Sequence, residues 1–343
     1  MLRFLLRSTG LGLSVLAGLG LLAGYLNPAL SGAMTVLALV VPWLLAATFL
    51  FTVLALYRRW WRTAAFSALI LVLALPDLGR ILAFGDGAAP PADGVVLTVT
   101  SVNTRAFRDG AWEPVSPART EKFLSAARAD VFLLQEAQRV WSRDTYGPTI
   151  HKTLGLPARF QPKHKAIAAY ARNLRQVATE AEQQNGFLVF DVETALGTVR
   201  FINAHLESNR ITGMADSIGA QGNVRGEINH AGSMLRSYAT AARVRARQAQ
   251  DLRRYVDRSP HPVVVAGDFN DVPSSYTYKQ VLTPRLRDAW VAAGRGLGTT
   301  FTGPLPGLRI DFVLVDTSLT VYDIERLDTG FSDHRGLRVR LGR

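Results

Sequence analysis

Six stretches of this chain place an acid, an amide or an imidazole at the edge of an apolar run. Asn103 follows Val95–Val102 in SVNTR, and Glu136 follows Val131–Leu134 in FLLQEA. His205 follows Val199–Ala204 in NAHLES, and Asp268 and Asn270 follow Pro262–Ala266 in VVVAGDFND. Asp311 opens a run in LRIDFVL, and Asp333 and His334 precede Leu337–Leu341 in FSDHRG. Taken singly, each has an ordinary explanation: an Asp after a Gly is usually a turn or a helix cap, and a lone His is usually a satisfied core or surface residue. Taken as a series, they lie at strand boundaries, which in packed sheets can converge on one rim. Glu136, Asp268, Asn270 and Asp333 offer hard oxygen ligands, better suited to Mg²⁺ or Mn²⁺ than to Zn²⁺. There is no cysteine and no H-E-x-x-H pattern. Two histidines among acids suit proton transfer and charge stabilisation at phosphorus, since a nearby carboxylate can hold an imidazole cationic. The combination fits metal-assisted attack of water on a phosphate ester.

The elements that must position these groups are short apolar strands. Besides the runs above, Phe187–Val192 and Leu319–Ile324 read as strands, and Pro117–Ala129 and Leu235–Val256 as helices. Strand-rich α/β patterning of this kind implies packed sheets covered by helices. Asn209–Gly232 is Gly-rich and polar and reads as a mobile loop, either a lid or simply a flexible segment. The basic helix carrying Arg243, Arg245, Arg247, Arg253 and Arg254 spreads its charge over more than one face, which implies a solvated surface. Trp290 and Phe301 belong to the core or to the rim of the site.

The first eighty residues are different. No charged residue occurs between Ser8 and Tyr57. Fifty helical residues are far too long for one crossing of a ~30 Å hydrocarbon layer. Breaker residues at Asn27–Gly32 divide the run into a helix of about Gly10–Leu26 and another of about Met34–Leu56. Arg58, Arg59 and Arg62, interleaved with Trp60 and Trp61, suit a cytoplasmic membrane interface. A third apolar run, Ala64–Phe84, is interrupted by Pro76, Asp77 and Arg80; Asp77 is costly there unless it lies near the far interface or pairs with Arg80. Arg3 and Arg7 precede the first helix, so both basic segments should stay inside. If the third run spans, the remainder lies outside; if it lies on the surface, the remainder is cytoplasmic. Three spans is the expectation, with anchoring preferred to a cleaved signal peptide. The chain thus divides into a membrane region (1–84), a Gly/Pro linker (85–94) and one large domain (95–343). Net charge is +12, and from Asp93 onward 33 basic residues face 25 acidic ones. The excess points to phosphate-bearing partners.

The ordered series SVNTR, QE, HLES, GDFND, RIDFVL and SDH resembles the endonuclease/exonuclease/phosphatase superfamily, across roughly Leu97–Val339. The resemblance implies a deoxyribonuclease I-like, four-layer α-β-β-α sandwich, here preceded by transmembrane helices, as in membrane-attached bacterial members. It implies that Glu136 binds the metal with Asn103 and Asp333 beside it. Asp268 would activate water, Asn270 would orient the phosphate, and His334, held charged by Asp311, would contact the scissile group. His205 matches a histidine that assists the leaving group in the deoxyribonuclease I and sphingomyelinase branches, and the abasic-site repair nucleases lack it. Arg105 stands two residues after Asn103, where it could touch a substrate phosphate or merely the solvent. Tyr170 is the nearest candidate for the family's mid-domain tyrosine. The Trp-plus-basic loops that grip duplex DNA are not recognisable.

The expected activity is that of a membrane-anchored, Mg²⁺- or Mn²⁺-dependent phosphodiesterase acting on nucleic acid. Its expected place is the bacterial inner membrane, with the catalytic domain periplasmic. Membrane attachment leaves open a phospholipid or sphingomyelin-type diester, and a non-catalytic membrane-bound module is the third possibility. No obligate protein partner is implied.

Overall fold

The computed structural model describes the chain except residues 91, 93, 138–145, 163–165, 178–185, 209–223 and 304–306, and the side chains of 224–231. Two compact units are present. The first comprises residues 1–82, 208–247 and 271–280, and the second 83–207, 248–270 and 281–343.

The first unit is built on α1 (Leu2–Ala23), α2 (Gly32–Tyr57), α3 (Trp61–Leu73) and α4 (Leu75–Ile81). α1 and α2 are each long and apolar enough to cross a membrane. α1 starts earlier than expected, because Arg3 and Arg7 find partners at its N-terminal end. Their guanidinium carbons lie 5.9 and 5.7 Å from the Trp60 ring, and Arg7 donates to Thr63 Oγ1 at 3.2 Å. Close helix approach depends on small residues. A Cβ at Gly20 would come within 2.6 Å of Val41, and Ser14 Oγ lies 3.0 Å from Ser67 Oγ in the buried interface. Pro76 interrupts the third apolar run, since it has no N–H to donate. α3 and α4 meet there at 55°. Together they are long enough to make a third, broken span.

Asp77 is buried in α4, and its charge is matched twice, by Lys279 Nζ at 3.0 Å and Arg80 Nη1 at 3.3 Å. Lys279 also sits 3.9 Å above the Tyr25 ring. The same unit contains the first part of α7 (Val224–Asp257), so residues 224–232, expected as loop, are helical. The rest of that expected loop, 209–223, lies outside the described residues. Arg245 departs from the solvated-helix expectation. It is fully buried and paired with Asp271 at 3.1 Å, because a carboxylate there compensates its desolvation.

The second unit contains two six-stranded sheets. One has the order β10-β12-β9-β8-β7-β6 and the other β13-β14-β2-β3-β5-β4. The first is formed by β10 (Leu286–Asp288), β12 (Asp311–Asp316), β9 (Val263–Asp268), β8 (Gly197–His205), β7 (Phe187–Thr194) and β6 (Arg175–Gln176). The second is formed by β13 (Thr320–Leu327), β14 (Gly336–Gly342), β2 (Leu97–Asn103), β3 (Val131–Gln135), β5 (Ile167–Ala171) and β4 (Ala158–Phe160). A two-residue β1 (Ala83–Phe84) pairs with β11 (Arg295–Gly296). Val99, Leu133, Phe190, Phe201, Val264, Val313 and Val339 meet between the sheets in one apolar core.

α5 (Pro117–Ala127) and α6 (Gly147–Leu154) cover the outer face of the second sheet through Phe123, Leu124 and Ile150. The last turns of α7 cover the first, where Tyr255 packs edge-on against Phe187 at 5.9 Å. The result is the expected α-β-β-α layering. Trp290, on the short α9 (Ala289–Ala293) that follows α8 (Tyr276–Val281), is a core residue. The expected linker is held at its start: Gly85, Gly87 and Ala88 donate to the carbonyls of Gly294, Ala292 and Val321.

Strand direction decides where the polar ends go. β2 and β3 pair in parallel, as do β8 and β9. β12 and β14 run antiparallel to β9 and β2. The C-terminal ends of β2, β3, β8 and β9 therefore share one edge of the sandwich with the N-terminal ends of β12 and β14.

Removing one partner of a buried ion pair leaves the other charge uncompensated. Asp77→Ala should therefore lower the stability of the detergent-solubilised protein by about 3 kcal/mol, and Asp77→Ala with Lys279→Met should recover most of the loss. Equal melting temperatures for wild type and Asp77→Ala would contradict this.

Candidate active site

The edge gathers Asn103, Glu136, His205, Asp268, Asn270, Asp311, Asp333 and His334. Register accounts for three of these directly: His205 pairs with Asp268 across β8 and β9, and Asp268 with Asp311 across β9 and β12. Asn103 pairs with Gln135, one residue before Glu136. Two parts of the floor bind the sheets together. Gln135 Nε2 donates to Asn203 Oδ1 at 2.6 Å, and Asn203 Nδ2 donates to the carbonyl of Ala168 at 2.8 Å. Gly267 follows a different constraint: its φ is 140° and a Cβ there would lie 1.9 Å from the Ala204 carbonyl, so the G of GDFN cannot carry a side chain.

Asn103 is the hub. Its Oδ1 accepts from the Arg105 amide at 3.0 Å, which orients the side-chain nitrogen. Nδ2 then donates to Glu136 Oε1 and to Asp268 Oδ2, each at 3.0 Å. Asn270 braces Asp268 from the other side. Its backbone N–H donates to Asp268 Oδ1 at 2.8 Å, and its Nδ2 donates to the Leu206 carbonyl at 3.0 Å and to Asp268 Oδ2 at 3.3 Å. Those contacts engage the amide that was expected to orient a phosphate.

His334 and Asp311 form a buried pair. His334 Nδ1 lies 2.9 Å from Asp311 Oδ2, and Nε2 lies 3.9 Å from Asp268 Oδ2. Burial alone would lower the histidine's pKa. The charges of Asp311 and Asp268, the hydrogen bond to Asp311 and the nearby Asp333 outweigh it and push it up to about 10. Burial raises the Asp268 carboxyl, with His334 pulling it back down. His205 Nε2 is buried without a hydrogen-bond partner among the described residues and lies 3.8 Å from Glu136 Oε1.

The oxygens at this edge fit a hard divalent cation. Two donor sets are present. Asp268, Asp311 and His334 bring ligand atoms within 4.8 Å of one another. Glu136, with Asn103 and Asp268 next to it, offers a carboxylate whose half-buried side chain opens toward solvent. Asp333 is half-buried beside His334, and its carbonyl accepts from Thr302 N at 2.8 Å.

Arg105 is close to the hub, but its guanidinium packs 5.3 Å from the Trp112 ring. Tyr170 does not join the group. It pairs with Phe132, three residues from the Gln135 end of β3, and its ring is 2% exposed within the cluster under α5 and α6. Strand register moved it away from the edge.

Sequence reasoning did not single out Thr300, Ser332 or Trp112. Thr300 Oγ1 accepts from the amides of Ile310 and Asp311, at 3.1 Å each, and holds the start of β12. Ser332 Oγ donates to the Asn103 carbonyl at 2.8 Å and accepts from His334 N at 3.1 Å. The S of FSDH was a signal for this. Phe301 stands edge-on to His334 at 5.4 Å, so it is a wall of the site. Among the described residues of the second unit, the non-glycine residues with positive φ are Arg105, Ala106, Phe107, Trp112, Glu136 and Asn270. Each costs ~1 kcal/mol or more and persists only where surrounding contacts impose it.

A two-sheet α/β sandwich with acids and imidazoles on one edge defines a class of phosphoric ester hydrolases. The chain belongs to the Endonuclease/Exonuclease/phosphatase family, whose model matches residues 100–334. Residues 3–81 match a domain of unknown function. No curated protein matches the chain. The fold is similar to that of a humanised TDP2 from D. rerio, with a TM-score of 0.50 and 16% identity, covering 72% of this chain and 99% of that one. An endonuclease/exonuclease/phosphatase from Beutenbergia cavernae DSM 12333 gives a TM-score of 0.47 at 20% identity, covering 72% and 71%. D. rerio TDP2 complexed with single-strand DNA product gives 0.48 at 17%, covering 72% and 99%. The protein is a hydrolase of the nuclease, phosphodiesterase and phosphatase kind, in a family that is generally dependent on divalent metal.

A raised histidine pKa stabilises the fold fully below the unfolded value near 6.5, and that contribution is lost as pH rises through about 10. Ring ¹⁵N shifts of metal-free protein should therefore show His334 as imidazolium at pH 8, and Asp311→Asn should lower its pKa toward 6.5. A neutral ring at pH 8 in the wild type would contradict the pairing.

Proposed function

We propose that the protein is a membrane-anchored phosphodiesterase that uses Mg²⁺ or Mn²⁺ to hydrolyse nucleic acid. The observation that carries this reading is the shared edge itself: Asp268 touches Asn103 and Asn270, faces His334, and pairs in register with His205 and Asp311. Residues 1–84 anchor the chain, 85–94 link, and 95–343 form the catalytic domain. The net charge of +12 favours a polyanionic substrate over a zwitterionic lipid.

Glu136, Asn103 and Asp333 would hold the ion, which when bound polarises a phosphoryl oxygen. Asp268 aligns the attacking water and takes its proton. Burial raises its pKa, and a more basic carboxylate accepts a proton more readily. His334 donates from Nε2 to a non-bridging oxygen, its charge maintained by Asp311 on Nδ1. His205 protonates the leaving oxygen. Asn270 keeps Asp268 aligned; its expected contact with the phosphate would replace the bond to Leu206. Arg105 adds charge for a neighbouring phosphate.

The orientation reading rests on charge. Arg3, Arg7 and Trp60 cluster at one end of the helices, next to Arg58, Arg59 and Arg62. The positive-inside rule puts that end in the cytoplasm. With α3 and α4 as the third span, the catalytic domain lies outside, in a bacterial cell in the periplasm.

With Mg²⁺, the full chain in nanodiscs should cleave plasmid DNA, RNA or single strands. EDTA should abolish the activity, and His334→Ala and Asp268→Ala should each reduce it at least ~10²-fold. Hydrolysis of sphingomyelin alone would replace the substrate reading, and no hydrolysis of any ester would favour a binding module. A periplasm-dependent reporter fused after Gly94 should be active. Activity of a cytoplasm-only reporter there would overturn the three-span topology.

A further inference from the structure

The turn after Asn103 carries a feature that catalysis does not use. Trp112 is 54% exposed, the one exposed large hydrophobic among the described residues between Val95 and Leu235. Arg105 and Arg108 place their guanidinium carbons 5.3 and 6.0 Å from its ring centroid.

The turn is built to hold that indole still. Asp109 Oδ1 accepts from the amides of Ala111 and Glu113 at 2.9 and 3.0 Å. Trp112 N donates to the Asp109 carbonyl at 2.9 Å, and Arg108 Nη1 donates to the Trp112 carbonyl at 2.6 Å. Trp112 itself has φ of 65°, a conformation that a bulky residue adopts only when the turn imposes it. At its base the turn is tied to the candidate catalytic groups. Arg105 N donates to Asn103 Oδ1 at 3.0 Å, and Ala106 N donates to the Glu136 carbonyl at 2.9 Å. Phe107 anchors it from below, stacked 4.2 Å from Tyr146. The indole thus stands one arginine's length from the Asn103 hub.

From this we infer that Trp112, with Arg105 and Arg108, forms a stacking subsite for an unpaired nucleobase of a nucleic-acid strand whose scissile phosphate lies at Asp268 and His334. An indole with two guanidiniums over its ring supplies both things that a nucleotide uses: planar groups, aromatic and guanidinium, on which a base stacks, and positive charge for its phosphate. A bilayer is the other surface that takes Trp and Arg, but it requires a larger apolar patch than one indole. A base inside a duplex has both faces covered, so the subsite selects single strands, ends and unpaired segments. The inference rests on the phosphodiesterase reading and deepens it by naming what lies beside the cleaved bond.

The test uses the full chain in zwitterionic nanodiscs with two probes, a single-stranded deoxyribonucleotide of about ten residues and the same backbone with every base removed. KM is measured for both with Mg²⁺. Binding of both is measured by fluorescence anisotropy in an Asp268→Asn background, where the strand stays intact. The wild type should prefer the intact strand roughly tenfold. Trp112→Ala should reduce that ratio to near one, and Trp112→Phe should retain most of it. An unchanged ratio in Trp112→Ala, or equal weakening for both probes, overturns the inference. So does failure of the intact strand to bind, or an effect of Trp112→Ala confined to anionic vesicles. Trp112-dependent preference in binding without hydrolysis by the wild type would remove the phosphodiesterase reading and leave the subsite standing.

Discussion

A positive charge held between two buried aspartates organises the catalytic half of this protein. His334 lies between Asp311 and Asp268, and each of the three comes from a different segment of the chain. None of them would be stable alone in that setting. An unpaired buried carboxylate would take up a proton, and an unpaired imidazolium would lose one. Together they keep one cation and two acids in place, and the cost of burying them is met by mutual attraction and by the hydrogen bonds that Asn103 and Asn270 donate to Asp268. Beneath this group, Gln135 and Asn203 join the two sheets through a buried hydrogen bond.

The same edge concentrates the strained backbone of the second unit. Glu136 and Asn270 leave their strands with positive φ, and the turn from Arg105 to Phe107 is left-handed throughout. Three of these residues direct an amide at a neighbour in the group: Arg105 at Asn103, Ala106 at Glu136, Asn270 at Asp268. Strain placed at an edge is tolerable because the core behind it is continuous. Val99, Leu133, Phe201, Val264 and Val339 are fully buried between the sheets.

The first unit solves a different electrostatic problem. Its helices are apolar, yet Asp77 is buried in the third run. Lys279 and Arg80 both reach it, so a residue that looked like an obstacle to crossing is an ion pair at the end of a helix. Small residues at Gly20 and Ser14 let α1 approach α2 and α3 closely.

Much of this was legible in the order of residues, because chemistry depends on side-chain type. Hard oxygens and imidazoles at strand ends, the absence of cysteine, GDFN and SDH in sequence, and the uncharged run from Ser8 to Tyr57 already determined the family, the reaction class and the apolar helices. The pattern of apolar runs marked the long strands to within a few residues. It did not mark β5, where alanines leave little contrast between faces, or the first turns of α7, where glycines and polar residues read as loop. Tertiary structure alone decided which candidates meet. Parallel pairing carried Asn103, Glu136, His205 and Asp268 to one edge, while antiparallel register drew Tyr170 into the core. It also buried Arg245 against Asp271 and raised Trp112 beside two arginines. Those outcomes depend on contacts between residues far apart in the chain, and no local pattern records which distant partner a strand or a charge will find.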